Sequence, residues 1–145
     1  MPAVRLSPMI RVMWKVHRFV LRVSGGRVGS RVGGFKVLLL ETTGHKSGRS
    51  RSVGLSHLQR DGRYRVVASY AGEERDPAWA KNLRAQPKGR VTVGGRSFPV
   101  LARALEGAER EAAFSRFVQV DPAYGGYRER TTREIPVFEL RPEGA

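Results

Sequence analysis

The chain runs to 145 residues, which suits one domain with a core of its own and argues against several. Hydrophobic residues at 40% and charged residues at 28% are the proportions of a folded globular chain, and zero cysteines exclude a disulfide framework, a thiolate nucleophile and a cysteine-based metal site. Charge is the outlier: 27 Lys and Arg against 13 Asp and Glu leave +14, which favours an anionic partner such as nucleic acid, an acidic membrane or a phosphorylated ligand.

The first patterned segment is MIRVMWKVHRFVLRV, residues 9 to 23. Met9, Val12, Met13, Val16, Phe19, Val20 and Val23 recur at helical spacing, with Arg11, Lys15, Arg18 and Arg22 largely on other faces, so a basic amphipathic helix is expected. Charges break each apolar run well short of the roughly 20 residues that a bilayer core requires. No small-residue cleavage site follows, so a secretory signal is not expected either. Such a helix packs on its own domain or on a dimer partner, or else lies on an anionic bilayer surface. SGGRVGSRVGG, residues 24 to 34, holds no G-x-G-x-x-G and reads as a turn or hinge. Residues 1–34 are thus an N-terminal helix and linker, residues 35–145 the main domain, and the compartment is expected to be the cytoplasm.

Strands follow. FKVLLLETT (35 to 43) is a run suited to a buried strand, and SVGLSHLQ (52 to 59) meets RYRVVAS (63 to 69) through Asp61-Gly62, a two-residue hairpin signal. RVTV and RSFPVLA form a second hairpin around Gly94-Gly95, with Pro99 marking an edge or a bulge. IPVFEL (135 to 140) is the last strand. Asp76-Pro77 reads as an N-cap with proline at the first helical position, opening a helix to about Gln86. A second helix runs from about Gly107 to Val120, presenting Ala113, Phe114, Phe117 and Val118, and Asp121-Pro122 repeats the cap signal. Hairpin-linked strands with late helices argue for an antiparallel sheet or small barrel rather than a doubly wound fold.

His17, His45 and His57 are scattered, with no H-E-x-x-H, so no metal site is expected. Gly44-His45-Lys46-Ser47-Gly48 has neither nucleophile-elbow nor Walker spacing, which removes hydrolase and P-loop readings. The positive signal is TTGHKSGRSR, residues 42 to 51, between two strands. Gly44 and Gly48 would let backbone amides converge while Lys46 and Arg51 bring full charges, the makings of an anion cradle; a solvated basic turn is the plainer alternative. Beyond it Ser52, Gly54 and Ser56 alternate with Val53, Leu55 and His57, so one strand face carries small residues and has room for a flat ring, or for a covering helix.

These blocks resemble the deazaflavin-dependent nitroreductase-like family, actinobacterial oxidoreductases that use coenzyme F420, a hydroxy-deazaflavin with a phosphate and an oligoglutamate tail. The likeness rests on LLLETTGHKSGRSR, VVASYAGEERDPAWAKNL and DPAYGGYRERTTREIPVFEL, in that order. It implies an α+β, mainly β fold: a split β-barrel of the FMN-binding, pyridoxamine-phosphate-oxidase-like type behind an amphipathic N-terminal helix. By the same resemblance His45, Lys46, Ser47, Gly48 and Arg51, with Ser52, Val53, Gly54, Leu55 and Ser56, surround the cofactor's phosphate and tail. Val67, Ala68, Ser69 and Tyr70 touch the ring, and Ala78, Trp79, Ala80, Lys81 and Asn82 begin the adjoining helix, whose N-terminus favours an anion. Trp79 and Leu83 at i, i+4 also suit plain core packing. Tyr124 lies near ring and substrate, and Tyr70 and Tyr127 line the substrate pocket.

The implied reaction is hydride transfer between reduced deazaflavin and a small organic acceptor, a quinone, enone or nitro compound, with Ser69 and Tyr124 as candidate catalytic donors. Tyr70 and Asp121 stand where relatives often carry Lys and Tyr, which argues against nitroimidazole activation. A basic N-terminal helix would give access to a membrane-held quinone from the inner face of the cell membrane. Three other readings stay open: a non-catalytic store for F420 or another anionic ligand such as haem or a fatty acid, an FMN-dependent relative, and a nucleic-acid binder. The last lacks an interleaved basic and aromatic motif, so no nucleic-acid partner is expected; the protein is a monomer or a homodimer.

Overall fold

The computed structural model describes residues 31–32, 35–69, 76–129, 131 and 133–143. The amphipathic segment at 9 to 23, most of the Gly and Arg linker, and Tyr70 lie outside the described residues.

The described residues form seven strands: β1 (Arg31–Val32), β2 (Phe35–Thr43), β3 (Ser50–Arg60), β4 (Arg63–Val67), β5 (Lys88–Val93), β6 (Arg96–Ala104) and β7 (Val137–Pro142). All pairings are antiparallel, in the order β1-β2-β3-β4-β7-β6-β5, and β5 returns to pair with β2 through Leu39↔Thr92, Leu40↔Val91 and Glu41↔Arg90. Strands β2 to β7 therefore close into a six-stranded barrel, which removes the free edges of an open sheet. The Gly and Arg segment read as a hinge adds one feature, since Arg31 and Val32 pair with Lys36 and Phe35 as β1.

Side-chain alternation explains the closure. On β2 both faces are apolar: Leu38 and Leu40 point inward, while Phe35, Val37 and Leu39 lie outward and buried. The interior is filled by Leu38, Leu40, Tyr64, Val66, Val91, Val100, Phe138 and Leu140. The turn at Asp61-Gly62 carries φ values of 53° and 74°, the two positive angles a tight hairpin needs. Pro99 pairs with Arg90 at the point where the β6–β7 ladder, which starts at Val100, has ended, so its missing N–H costs that ladder nothing.

Helices α1 (Ala78–Ala85), α2 (Gly107–Val120) and α3 (Ala123–Glu129) complete the fold. Trp79, Ala80 and Leu83 of α1 join the interior cluster, with the Trp79 and Phe138 rings 5.7 Å apart edge to face. Pro77 is the N-cap residue of α1 rather than its first helical residue, and the Asp76 side chain does not cap the helix. The second cap signal holds as read: Asp121 Oδ1 accepts the Ala123 N–H at 3.0 Å. Helix α2 lays Ala113, Phe114 and Phe117 on an outer cluster with Phe35, Val67, Leu105, Ile135 and Val137.

Candidate functional site

Two elements meet at the basic loop between β2 and β3. Gly44 donates its N–H to Arg49 O at 2.7 Å, Gly48 donates to Gly44 O at 2.8 Å, and Arg49 donates to Ser47 Oγ at 3.2 Å. A Cβ on Gly44 would stand 2.6 Å from Ser47 Oγ, so the close approach needs glycine. The amides of Gly44 and Gly48 themselves are used to close the turn. His45, Lys46, Arg49 and Arg51 are exposed on this loop, and among the described residues Lys46, Arg49 and Arg51 make no ion pair.

The loop is latched from beneath. Asn82, 2% exposed on α1, accepts the His45 backbone N–H at 2.9 Å through Oδ1, and the same oxygen lies 2.6 Å from His45 Nδ1. A backbone N–H can only donate, so the oxygen must face the loop; Asn82 Nδ2 then donates to buried Thr42 Oγ1 at 3.0 Å. His45 Nδ1 carries the proton that Oδ1 accepts, which leaves Nε2 for other partners. Asn82 is therefore engaged with its neighbours on both ends of its amide, and Thr42, which sequence reasoning passed over, is its anchor. The signal was a polar residue continuing the inward series Leu38, Leu40, Thr42.

Strand β3 leads away from the loop. Val53 and Leu55 pack against the barrel interior and His57 is buried with them, so the opposite, outer face carries Ser52, Gly54 and Ser56, as the alternation required. At ~3.3 Å per residue, the strip from Arg51 to Ser56 covers about 17 Å. It ends at Tyr124 of α3, whose phenol shares a hydrogen bond with Ser56. Burial pushes that phenol up to about 12, the Ser56 contact opposes the shift, and Tyr127 and Asp121 add to it. Tyr124 is thus a protonated phenol at neutral pH. Its ring sits in an aromatic group, 5.4 Å from Phe35, 5.2 Å from Phe117 and 5.5 Å from Tyr127.

The remaining sequence-derived residues divide by face. Val67 belongs to the cluster against which Tyr124 and Tyr127 pack, and Ser69, 8% exposed, continues its face two residues on. Ala68, Trp79 and Ala80 point into the barrel core, whereas Ala78 and Lys81 are exposed on α1. Arg133 went unread in the sequence. It lies between α3 and β7 and donates through Nη2 to Ala68 O at 3.0 Å and Ser69 O at 2.7 Å, and through Nη1 to Asp76 Oδ1 at 2.7 Å. No local pattern marks such a residue, because its partners are two backbone carbonyls and a carboxylate far away in the chain.

A second arginine-rich region lies on the outer face of β4, β7 and β6. Glu139, 5% exposed, accepts from Arg63 Nη1 at 3.1 Å, Arg65 Nη2 at 3.3 Å and Arg103 Nη2 at 3.0 Å. Arg103 also grips Glu109 at the start of α2 with two bonds, 2.8 and 3.1 Å. Burial pushes the Glu139 carboxyl up, but the hydrogen bonds from Arg103, Arg63 and Arg65 outweigh it and hold the group below the usual carboxylate range. A surface concavity of about 400 Å3 opens there, lined by Arg60, Asp61, Arg63, Arg65, Glu109 and Glu139 among others, and none of the residues expected at the site borders it.

Residues 13–142 match the family model described as F420H(2)-dependent quinone reductase. The chain is 35% identical over 130 residues, 87% of either chain, to an F420H(2)-dependent quinone reductase of Mycobacterium tuberculosis. Among solved structures, one described as an F420-H2 dependent reductase, FDR-A, is 40% identical with a TM-score of 0.66, covering 72% of this chain and 93% of its own. Another, described as a domain-swapped dimer, is 36% identical with a TM-score of 0.68 and covers 93% of this chain and all of its own. With the barrel, the basic loop and matches of this extent in hand, the chain belongs to the F420H(2)-dependent quinone reductase family.

Proposed function

We propose that the protein is an F420-dependent oxidoreductase that passes a hydride from the reduced deazaflavin to a small organic acceptor, a quinone foremost. The observation that carries the reading is the basic loop, latched by Asn82, whose Lys46, Arg49 and Arg51 are unpaired with any acid among the described residues, and which is continuous with the small-residue strip that ends at Tyr124. Its donor set fits the group: a phosphate and oligoglutamate tail is polyanionic, and Lys46, Arg49 and Arg51 offer charge with no carboxylate paired against them among the described residues, beside the exposed His45 ring. Ser52, Gly54 and Ser56 leave a flat ring room along β3.

The bound cofactor supplies the hydride, and the chain supplies binding and orientation. Lys46 and Arg51 hold the tail, while Asn82 keeps the loop at a fixed height above α1. Tyr124, a phenol whose pKa burial raises further above neutrality, donates a hydrogen bond where negative charge develops on an acceptor oxygen. Ser69 offers a second hydroxyl on the same side. Half-buried Tyr127, edge to face with Tyr124, offers an apolar surface suited to a quinone, and the buried Phe35 and Phe117 rings support Tyr124 from the core side.

Titration with oxidised F420 and, in parallel, FMN, followed by cofactor fluorescence, tests the reading. Binding of F420 that weakens in Lys46→Ala and Arg51→Ala, with turnover of a naphthoquinone, supports it. Preference for FMN, or F420 binding with no turnover of any quinone, overturns it in favour of an FMN relative or a storage protein.

Two finer elements rest on narrower support. The basic amphipathic pattern of residues 9 to 23 supports peripheral contact with an anionic bilayer, at the cytoplasmic face, where a lipid-soluble quinone is held; among the described residues no helix is long and apolar enough to cross a membrane. Unchanged binding to anionic liposomes after deletion of residues 1 to 23 would remove this element. The domain-swapped relative supports a homodimer, which light scattering on the purified protein decides.

A further inference from the structure

The stretch from Tyr70 to Arg75 joins two parts of the candidate site in the sequence, the residues Ala68 and Ser69 that follow β4 and the residues Asp76 and Pro77 that precede α1. Arg133 is bonded to both parts. One guanidinium nitrogen takes the carbonyls of Ala68 and Ser69, and the other takes the Asp76 carboxylate. The backbone repeats the tie, since Ala68 donates its N–H to Pro136 O at 2.8 Å. The side chains of Arg133 and Asp76 are 12% and 16% exposed, so water competes weakly for these bonds. Asp76 is also paired with Arg84 on the next turns of α1.

We propose that Arg133 is a positioning residue for the reductase: by joining the Ala68 and Ser69 carbonyls to Asp76, it fixes the strand end against α1 and so sets the seat of the cofactor ring. The inference rests on the F420 reading above. The planar fork matters, because it presents donors at a fixed angle to three acceptors, which the single ammonium of lysine does not reproduce. A site held within about half an ångström depends on such support, and a small misplacement of the ring slows transfer more than it weakens binding.

The test compares wild type with Arg133→Lys, Arg133→Gln and Asp76→Asn, none of which removes a residue assigned to cofactor or substrate contact. Four readouts are taken: Tm, amide exchange without cofactor, the F420 dissociation constant by fluorescence, and kcat and KM for menadione at saturating reduced F420. The expected result is kcat lowered at least tenfold in both Arg133 variants, with menadione KM within threefold of wild type and F420 binding weakened threefold to tenfold. Exchange should rise at Ala80 and Lys81, whose N–H groups bond to Pro77 O, and stay unchanged in β2 and β3. Asp76→Asn should show a smaller loss in the same direction, and the double variant Asp76→Asn, Arg133→Gln should be no worse than Arg133→Gln alone.

Folded variants with kcat and exchange within twofold of wild type overturn the proposal. So does a rescue of kcat by Arg133→Lys, which would assign the role to charge alone. If Arg133→Gln fails to fold, Arg133→Lys and Asp76→Asn decide by the same criteria. Wild-type protein that takes up no F420 overturns the functional reading and this proposal together, whereas wild-type binding with indifferent variants overturns this proposal alone.

Discussion

The β2–β3 loop and the outer face of β4, β7 and β6 are both crowded with basic side chains, and they use them in opposite ways. On the sheet face Arg63, Arg65 and Arg103 share one carboxylate: Arg65 and Arg103 flank Glu139 in register, Arg65↔Glu139 and Arg103↔Glu139, and Arg103 carries the link on to Glu109 and α2. In the loop Lys46, Arg49 and Arg51 face water with no acid against them among the described residues. The same residue type thus pins a helix in one region and leaves a field for an anion in the other. His57 shows a third outcome. Buried at 2% exposure, it has no hydrogen-bond partner for Nδ1 among the described residues, and burial with the nearby Lys36 charge lowers its pKa to about 4, so it stays neutral at pH 7.

The largest test of this contrast removes the shared acid. Glu139→Gln leaves buried Arg65 with Glu109, 3.8 Å away, as its remaining counter-charge and should cost about 3 kcal/mol, the low end for a broken buried pair, because half-exposed Arg63 and Arg103 can turn to water. A fall in Tm of roughly 10 °C in a thermal melt is expected, with F420 affinity of the folded protein unchanged. Loss of affinity on the same scale would break the separation of the two regions.

The His57 prediction follows from linkage. Its folded pKa lies below the unfolded value, so the unfolded state binds the extra proton, and stability present above pH 6.5 is lost as pH falls toward 4. The loss approaches about 3 kcal/mol across that window. Urea midpoints of wild type should decline from pH 6.5 to 4, and His57→Phe should flatten that slope; an equal slope in both would place the titration elsewhere.

Next in size are the loop cations. Lys46→Ala and Arg51→Ala should each weaken F420 tenfold to hundredfold, about 1.4 to 2.7 kcal/mol, and affinity should fall further with salt. Tm should not move, since both side chains are exposed. FMN, without the oligoglutamate tail, should respond less to the same changes.

The smallest effect is expected at Glu109. It lies at the exposed end of the sheet network, where Arg103 holds its carboxyl below the usual range against a slight opposing effect of burial. Glu109→Gln should lower Tm much less than Glu139→Gln, because Arg103 keeps Glu139. Equal losses would mean that the network acts as one unit rather than through its buried member.

Much of this was legible from residue order. Strand β2 occupies the residues its apolar run marked, both hairpin turns fall at Asp61-Gly62 and Gly94-Gly95, and α2 ends at Val120 where the second cap signal follows. These are local signals, set by side-chain period and turn stereochemistry. The alternation Ser52, Gly54, Ser56 assigned the outer face of β3 for the same reason. Reading the Asp76-Pro77 signal one residue off had a physical cause as well: the carboxylate that would cap α1 is drawn to Arg133 and Arg84.

Long-range partners were not legible. Nothing near Glu139 in the chain announces Arg63, Arg65 and Arg103, which reach it only because β7 inserts between β4 and β6. Asn82 reads locally as a helix residue, and its bonds to His45 and Thr42 exist because α1 folds back beneath the loop. The sequence by itself determined the charge, the strands and turns, the order of the motifs and so the family, since each depends on neighbours a few residues apart. Barrel closure decided the rest: which cations are neutralised and which stay available, and which polar groups hold the site in place, because those depend on residues that only the folded chain brings within hydrogen-bond reach.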